Sequence, residues 1–554
     1  MRIDRRQALG LIGAGAATSA CATPSGPSEI DPSSFRHGVA AGDPSQDSIV
    51  LWTRLTFDSP GPPYLRHAWV EFEVSEDEGF ERVVQSGLGM CRLADDWTFK
   101  VLVTGLQAGR DYWYRFNSIS PVGRFRTLPA EESTDEVVLA VASCSLHPGG
   151  YFNAYRAIAG LERVDAVVHL GDYIYEYGAG PTDYGMRTGL ELGRIPEPAH
   201  EIVTLADYRA RHAQYKADPD LQAAHARAAW IMTFDDHEVT NDPWEGGAEN
   251  HDEGEGSWAD RKAAALRAYL EWNPIREPAA GTPLHEAVRR SFQFGRSAAL
   301  HMVETRLSAR SEQLEYEHIT AADGSLDRSR LDDPDRRLMG EAQLDWLGEA
   351  LGNDAAWQVL GNQVLMARMV VPDITAAVGP AAIEAALPSL QPYQQRRLTQ
   401  MAALGAGGFP MNLDAWDGYP AERDRLYARA RSANARLVVL SGDSHCAWAN
   451  TLSDARGRLG VEFGATAVSS PVPSYAQALP GAPLAEIMAA QNPEVEWCDF
   501  GPRGFFVLSL TPQAAECRMI GLSTIASRDF ETEERARFRV EADGAGLGTL
   551  TRVA

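Results

Sequence analysis

Residue types that bind metal ions follow five apolar, strand-like runs of the sequence. The runs are EVVLAVA, DAVVHL, AAWIMTF, AWQVL and ARLVVLS, and the residues after them are Cys144, Asp172, Asp236 with His237, Asn362, and Asp443 with His445. In an open α/β sheet, ligands sit beyond the carboxyl ends of the strands, so we expect these side chains to meet at one edge of a sheet. Carboxylate, amide, imidazole and thiolate together suit a mixture of hard and borderline cations. The pattern therefore predicts a metal centre.

The stretch LGDYIYE places an acid directly after a strand and a phenol three residues later. The two oxygens of Asp172 can bridge two cations, and Tyr175 can turn back to one of them as a phenolate. A phenolate is a poor ligand for Zn²⁺ or Mg²⁺ and a good one for Fe³⁺, and a Cys144 thiolate also suits iron better than calcium. We interpret His169 as a core residue because it lies inside the apolar run, and Asp235 as a residue that orients the neighbouring ligand.

The elements that must position these residues change character near residue 130. From Phe35 to about Leu128, alternating segments such as WVEFEV, KVLVTGL and DYWYRF predict an all-β, fibronectin-like region, preceded by a linker at residues 25–34. After it, strand-like runs alternate with amphipathic segments such as MGEAQLDWLGEAL and PAERDRLYARARSA, which predicts an α/β fold with a largely buried sheet. Residues 246–256 (GGAENHDEGEG) are interpreted as a solvated acidic surface loop rather than a cation site.

Length and charge restrict the class of protein. A chain of 554 residues is longer than one hydrophobic core usually accommodates, so two or more domains are expected. Lys and Arg total 51 and Asp and Glu total 76, a net charge of −25, which argues against a nucleic-acid coat or an anionic membrane surface as partner. A small anionic substrate stays compatible, since bound cations reverse the local field in a pocket. Six scattered cysteines indicate no disulfide framework, although Cys498 and Cys517 could pair.

Residues 1–24 have the composition of an export signal. Arg5 and Arg6 precede a weakly apolar, Gly/Ala-rich stretch and then small residues, which is typical of a twin-arginine signal peptide. Lipidation at Cys21 is an alternative to cleavage, but Thr18 stands where a lipoprotein signal usually carries Leu. The signal therefore predicts a periplasmic or secreted protein that the twin-arginine machinery exports. We infer no obligate protein partner from the sequence.

From Phe35 onward the chain resembles the alkaline phosphatase D (PhoD) family of metallophosphoesterases. The resemblance rests on these blocks, in this order: FRHGVAAGDPSQDSIVLWTRL, VASCSLHPGGYFNAYRAIA, DAVVHLGDYIYEYG, TLADYRARHAQYKADPDLQAAHARAAWIMTFDDHEVTND, LDAWDGYPAERDRL and LVVLSGDSHCAWANTL. It implies an N-terminal fibronectin/Ig-like β-sandwich domain at residues 35–130. It also implies a catalytic domain at residues 135–554 with a four-layer, metallophosphoesterase-like α/β sandwich.

The resemblance implies roles for individual residues. Asp172 would bridge two metals and count among the catalytic residues, and Tyr175 and Cys144 would bind the iron. Asp236 stands where purple-acid-type enzymes place a ligating asparagine, and His237 follows it as the catalytic histidine.

Further ligands come from the last two strand ends. Asp443 and His445 stand where purple-acid-type enzymes have two ligating histidines. Asn362 matches a ligand position of the family less clearly, and its neighbour Gln363 is the other candidate for that role. Related sequences carry Asp-Thr-Arg near the end of the fifth strand, where this chain has Glu304, so one supporting contact departs from the pattern. Many acids and few histidines favour Fe³⁺ with Ca²⁺, in a centre of two or three metals, over two zinc ions.

The implied activity is metal-dependent hydrolysis of a small phosphoester. Hydroxide formed on the paired cations would attack phosphorus in line. His237 would donate a proton to the leaving group, or a second cation would stabilise it. The choice between monoester and diester stays open, within an alkaline phosphatase or phosphodiesterase. The alternatives are a phospholipase-D-like diesterase and, less favoured because the strand-end ligands are intact, a non-catalytic cation-binding surface protein.

Overall fold

The computed structural model describes residues 30–57, 66–390, 392–473, 476, 479, 482–544 and 546–553. The predicted export signal and Cys21 lie outside the described residues. Within the predicted linker, Pro32–Phe35 form a 3₁₀ helix that the carboxylate of Asp31 caps. Among the described residues, no helix combines the length and apolar character that crossing a membrane requires.

The N-terminal region is all-β, as predicted. Its strands are β1 (Val39–Gly42), β2 (Ser48–Arg54), β3 (His67–Ser75), β4 (Val83–Arg92), β5 (Thr98–Thr104), β6 (Asp111–Phe116) and β7 (Gly123–Arg126). One antiparallel sheet has the order β4-β3-β6-β7, while β1, β2 and β5 pair side by side in another. Buried side chains of both groups, including Ile49, Val70, Val103, Tyr114 and Phe125, pack in a common core.

The sheet that contains β1, β2 and β5 continues into the rest of the chain. Its further strands are β8 (Val137–Ala142), β9 (Ala166–His169), β10 (Ala229–Met232), β20 (Gly504–Thr511), β21 (Ala514–Leu522), β22 (Thr532–Asp543), β23 (Gly546–Leu547) and β24 (Thr551–Val553). The order is β23-β22-β21-β20-β8-β9-β10-β1-β2-β5, with β24 on β22. Gly42 of β1 pairs in parallel with Trp230 of β10. The N-terminal strands therefore extend the central sheet of the following region.

A second large sheet lies against the first. Its strands are β13 (Arg290–Phe294), β14 (Ala298–Met302), β15 (Trp357–Gly361), β16 (Leu437–Ser441), β17 (Ala447–Asp454), β18 (Gly457–Gly464) and β19 (Val495–Asp499), in the order β13-β14-β15-β16-β18-β17-β19. A short hairpin joins β11 (Pro243–Trp244) and β12 (Gly247–Ala248). Side chains such as Val141, Val168, Leu300 and Leu440 fill the core between the large sheets. Cys498 lies in β19 and Cys517 in β21, and both are free, so the pairing considered from the sequence is wrong.

The described residues also form α-helices. They are α1 (Asn153–Ala159), α2 (Met186–Leu192), α3 (Leu205–Lys216), α4 (Pro219–Arg227), α5 (Trp258–Trp272), α6 (Glu341–Ala350), α7 (Ile374–Val378), α8 (Pro380–Ala386), α9 (Pro392–Leu404), α10 (Pro420–Ser432) and α11 (Leu484–Gln491). One core joins α1, α3, α4 and α5 to the first sheet, and another joins α6 and α10 to the second. The helix–sheet–sheet–helix arrangement confirms the predicted four-layer fold.

The site-bearing strands are parallel and fully buried, which explains their continuous apolar runs. In the first sheet β8, β9 and β10 are neighbours in register, and in the second β14, β15 and β16 are neighbours in register. Ser143, just after β8, forms a parallel bridge with Ala467, just after β18, so the carboxyl ends of the two sheets meet. The expectation of one sheet edge was wrong, because two facing sheets supply the site.

Candidate metal centre

Carboxylate, thiol and imidazole groups converge where the two sheets meet. Three overlapping groups have ligand atoms within 4.8 Å of one another: Cys144, Asp172 and His445; Asp172, Asp236 and His237; and Asp235, Asp236 and Asp443. Because Asp172 and Asp236 each belong to two groups, the seven residues form one cluster. The structure thus brings together residues that are up to about 300 positions apart in the chain.

The backbone turns sharply as it leaves each strand. Cys144, Asp172, Asp443 and His445 all have positive φ, between 56° and 63°, a conformation that non-glycine residues adopt where surrounding structure holds them, often at functional sites. A Cβ added to Gly171, before Asp172, would lie 2.4 Å from the Cβ of Asp235. The Gly-Asp pair therefore lets two ligand-bearing loops approach closely.

Tyr175 lies between the predicted iron ligands. Its hydroxyl donates to Asp172 Oδ2 at 2.8 Å, accepts from Ser470 Oγ at 2.7 Å and lies 3.3 Å from His445 Nε2. Burial, reinforced by the charge of Asp172, raises the pKa of the Tyr175 phenol well above its usual value. The same two causes raise the pKa of the Cys144 thiol. Both groups therefore need a strongly Lewis-acidic cation before they can bind as anions.

His445 already has the form that binds metals. Burial lowers the pKa of His445 to about 3, so its imidazole is neutral. Its Nδ1 lies 2.8 Å from the carbonyl oxygen of Pro471, which can only accept a hydrogen bond, so Nδ1 carries the proton. The free lone pair is then on Nε2, which faces Tyr175 and lies 3.9 Å from Asp172 Oδ2.

Acidic neighbours favour the protonated form of His237. Its Nδ1 lies 2.8 Å from Glu176 Oε2, its Nε2 lies 3.8 Å from Asp236 Oδ2, and its ring stacks on Tyr175 with centroids 4.2 Å apart. Burial alone would lower the pKa of His237, but the carboxylates of Asp236, Glu176 and Asp172 outweigh it and raise that pKa well above its usual value. Glu176, which closes the stretch LGDYIYE, is an orienting residue that sequence reasoning missed.

Several buried carboxylate oxygens have no hydrogen-bond partner among the described residues. They are Asp172 Oδ1, Asp235 Oδ2 and Asp236 Oδ1. Burial raises the pKa of Asp172 well above its usual value and that of Asp443 to about 7, because charged carboxylates are costly inside a protein. A buried carboxylate oxygen that accepts no hydrogen bond is suited to binding a cation. The donor set therefore fits hard cations, with one thiol and one phenol suited to iron.

Arg306 joins the two sheets beside this cluster, a role that sequence reasoning did not assign. Its fully buried guanidinium bonds Asp235, lies 2.7 Å from Asp414 Oδ2 and lies 3.5 Å from Asp443 Oδ1. Glu304, the departure noted in the sequence, accepts backbone N–H groups of Arg306 and the next two residues at 2.6–2.8 Å. Glu304 thus shapes the turn that presents Arg306.

The side chains of the two candidate amides make hydrogen bonds to neighbouring groups of the framework. Asn362 Oδ1 accepts the indole N–H of Trp416 at 3.1 Å, and Asn362 Nδ2 lies 3.3 Å from Ser441 Oγ. Gln363 accepts from Thr305 Oγ1 at 2.8 Å and donates to groups after β10 and β14. Both amides therefore bond the framework that carries the site. Asn362 also positions Trp416, whose indole N–H it accepts.

Glu238 clamps the two loops that carry the central acids. Its carboxylate accepts backbone N–H groups of Asp172 at 3.1 Å, Tyr173 at 2.6 Å and Asp235 at 2.8 Å, and the side chain is buried. Residues that hold metal ligands in place affect metal affinity without touching the ion.

Glu238→Gln is expected to weaken metal binding roughly 10- to 100-fold, since an amide offers one acceptor oxygen to three donors. Calorimetric titration of the metal-free protein measures this. Glu286→Gln, which changes an acid paired with Arg289 away from the site, is the matched control. Equal affinity in wild type and Glu238→Gln contradicts the clamp.

A cavity of about 770 Å³ opens from the acidic cluster. Asp172, Asp236, His237 and Asp443 line it, together with apolar residues of α9 and of the segment after β15. Asn250, from the loop interpreted as a solvated excursion, also lines the cavity. Buried Arg261 bonds the carbonyl oxygen of Asn250 at 3.0 Å and Glu255 at 2.7 Å. That loop is therefore anchored beside the site.

Comparisons with known proteins agree with this geometry. The family model for PhoD-like phosphatases matches residues 139–519, and the model for their N-terminal domain matches residues 20–129. Alkaline phosphatase D of Bacillus subtilis (strain 168) is 33% identical over 528 residues, which cover 93% of this chain and 82% of the relative. A solved structure of PhoD has a TM-score of 0.77 and 30% identity, covering 97% of this chain and 94% of the other.

A more distant likeness concerns the fold alone. The purple acid phosphatase PPD1 from yellow lupin (Lupinus luteus) seeds has a TM-score of 0.50 and 12% identity, covering 93% of this chain and 77% of the other. The arrangement of the two large sheets is thus found in that protein as well. With two matching family models, a relative one third identical along nearly the whole chain and a shared fold, this chain belongs to the PhoD-like phosphatases, which are hydrolases of phosphoric esters.

Proposed function

We propose that this protein is an exported, metal-dependent phosphomonoesterase and phosphodiesterase with an alkaline optimum. The observation that carries the proposal is the convergence of buried acids whose oxygens lack hydrogen-bond donors at the mouth of an open cavity. A phosphoester is anionic, and a cavity lined by acids accepts an anion only with cations between them.

The donor types support Fe³⁺ together with Ca²⁺. Cys144, Tyr175 and His445 would hold iron with Asp172, while Asp236 and Asp443 would hold calcium, with Asp172 shared. Cations held there would supply Lewis acidity, which polarises phosphoryl oxygens and lowers the pKa of water.

The protein's own groups have distinct tasks in this hydrolysis. His237 lines the cavity and would donate a proton to the leaving oxygen, which develops negative charge as the P–O bond breaks. Glu176 fixes the ring through Nδ1, so the proton on Nε2 is the one presented. Arg306 balances the acids on the far side of the cluster and keeps them in place.

Hydrolysis of para-nitrophenyl phosphate and its bis-ester tests the proposal. The purified protein is expected to release nitrophenolate from both esters, to lose this activity on chelation, and to regain it with Ca²⁺ and iron. Activity that survives complete removal of metals, verified by elemental analysis, contradicts the proposal.

Tyr175→Phe tests the iron assignment independently of turnover. A phenolate bound to Fe³⁺ absorbs visible light, so this band is expected in the wild type and absent in Tyr175→Phe. The Tyr177→Phe variant, whose ring also lines the cavity, is expected to keep the band. Elemental analysis that finds no iron in the wild type contradicts the assignment of Tyr175 as an iron ligand.

Export through the twin-arginine route rests on Arg5 and Arg6. This route carries folded proteins, so iron can be loaded before export. Cell fractionation is expected to find the wild type outside the inner membrane and an Arg5→Lys, Arg6→Lys variant retained inside. Equal export of the two rules out this route.

A further inference from the structure

Lys216, the last residue of α3, has its side chain inside the protein. The residue is only 1% exposed, and among the described residues no carboxylate forms an ion pair with it. Burial lowers the pKa of its amine well below the usual value, with no acid to oppose the shift. A buried amine without an acid is costly, and a methionine would fill the same space without that cost. Packing alone therefore does not account for a lysine at this position.

The amine lies among two aromatic rings and one imidazole. Lys216 Nζ is 4.9 Å from the ring centroid of Trp52 and 5.0 Å from that of Tyr173. It also lies 2.8 Å from His225 Nε2, and the same imidazole nitrogen lies 2.9 Å from the Tyr173 hydroxyl. All three neighbours are at most 2% exposed. Because Trp52 belongs to β2 and His225 to α4, Lys216 connects the N-terminal region and two helices to Tyr173.

Tyr173 lies in the chain between Asp172 and Tyr175, the predicted bridging ligand and the predicted iron ligand. Its backbone N–H donates to Glu238 at 2.6 Å, and its carbonyl oxygen accepts from Ser145 Oγ at 2.9 Å. The contacts with the imidazole and the amine therefore fix its side chain in addition to its backbone. Asp172 has a φ of 56°, a conformation that the surrounding structure must hold. A tether on the next residue supplies part of that restraint.

We propose that Lys216 and His225 are positioning residues for the metal centre, which hold the loop that carries Asp172 through the side chain of Tyr173. This inference rests on the proposed function, because that function gives the loop its metal ions. Among the described residues, those that line the cavity include neither Lys216 nor His225, so both act from behind the loop. Residues that orient metal ligands without touching the ion still set the metal affinity. A costly buried amine is typical of a group kept for function at the expense of stability.

Lys216→Met separates a role in the metal centre from a role in the fold. Methionine removes the amine and keeps a long, unbranched, apolar side chain. With a chelator present, we expect the thermal unfolding midpoint of the variant to be no lower than that of the wild type, because the buried amine is gone. The affinity for Ca²⁺, titrated calorimetrically into the metal-free protein, is expected to fall about tenfold. A role in the fold alone would lower the midpoint and leave the Ca²⁺ affinity unchanged.

Lys262→Met is the matched control for Lys216→Met. Lys262 also lies over a tryptophan ring, that of Trp258 at 5.8 Å, and it donates to the carbonyl oxygen of Glu245 at 3.1 Å. The Ca²⁺ affinity of the Lys262→Met variant should match that of the wild type. Equal Ca²⁺ affinity in the wild type and Lys216→Met overturns the inference. A lower midpoint for Lys216→Met, or its failure to fold, also overturns it, because the lysine would then hold the fold.

Tyr173→Phe tests the route from the amine to the metal centre. It keeps the ring beside Lys216 and removes the hydroxyl that lies near His225 Nε2, and it is expected to weaken Ca²⁺ binding about tenfold. The double variant should lose less affinity than the product of the two single losses, since both changes act on one loop. Wild-type affinity in Tyr173→Phe, or a double loss equal to that product, overturns the inference. If the wild type hydrolyses neither para-nitrophenyl ester while the affinities follow these expectations, the proposed function fails and the inference stands.

Discussion

Asp172→Asn is expected to lower kcat/KM for para-nitrophenyl phosphate by on the order of 10³-fold. Asp172 is the acid that belongs to both the group with Cys144 and His445 and the group with Asp236 and His237. Its Oδ2 accepts the Tyr175 hydroxyl, and its Oδ1 is buried with no partner among the described residues. An amide of the same shape removes one charged oxygen from both groups at once, so metal content should fall together with activity.

The control for Asp172→Asn is the same substitution at Asp345. That residue lies in α6 and pairs with Arg429 at 2.6 Å, with two thirds of its side chain exposed. Its variant is expected to match the wild type in activity and metal content. Both variants should also match the wild type in circular dichroism, since the substitution at Asp172 preserves volume. A fully active, metal-loaded Asp172→Asn variant is incompatible with a bridging role.

Arg306→Met is expected to lower the free energy of unfolding by about 3–5 kcal/mol in the presence of a chelator. Its guanidinium is fully buried among Asp235, Asp236, Asp414 and Asp443, so removing it leaves buried carboxylates without their cation. Urea unfolding measures the loss. The cost should shrink as the pH falls, because protonation removes the carboxylate charges that Arg306 balances.

An exposed arginine gives the comparison for Arg306→Met. Arg328 pairs with Asp332 at 2.6 Å, and both side chains are about half exposed. Arg328→Met should change the free energy of unfolding by no more than about 1 kcal/mol, because water screens this pair. Equal effects of the two substitutions would show that burial of the Arg306 network does not stabilise the fold.

Local patterns in the sequence determined the site-bearing strands and several helices. The apolar runs before Cys144, Asp172, Asp236 and Asp443 became buried parallel strands, since a strand covered on both faces needs no polar alternation. The segment that follows Thr204 forms two helices, α3 and α4, because Asp218 and Pro219 start a new helix.

The C-terminal strands show where local patterns stop being informative. β20 pairs with β8 across more than 300 residues and places the last part of the chain in the centre of the first sheet. Strand pairing depends on which apolar faces meet after loops close, and contiguous residues do not encode that choice. For the same reason the sequence implied one sheet edge, whereas two facing sheets supply the ligands.

The sequence by itself determined the family, the strand ends and the chemistry of the acids that follow them, because residue type and spacing along one strand are local properties. Only the tertiary structure decided that Glu176 orients His237, that Arg306 balances acids from both sheets, that Asn362 bonds Trp416, and that α9 lines the cavity. Each of these contacts joins residues 54 or more positions apart or brings a separate helix to the site. Such contacts arise from packing of the four layers, which no short segment specifies.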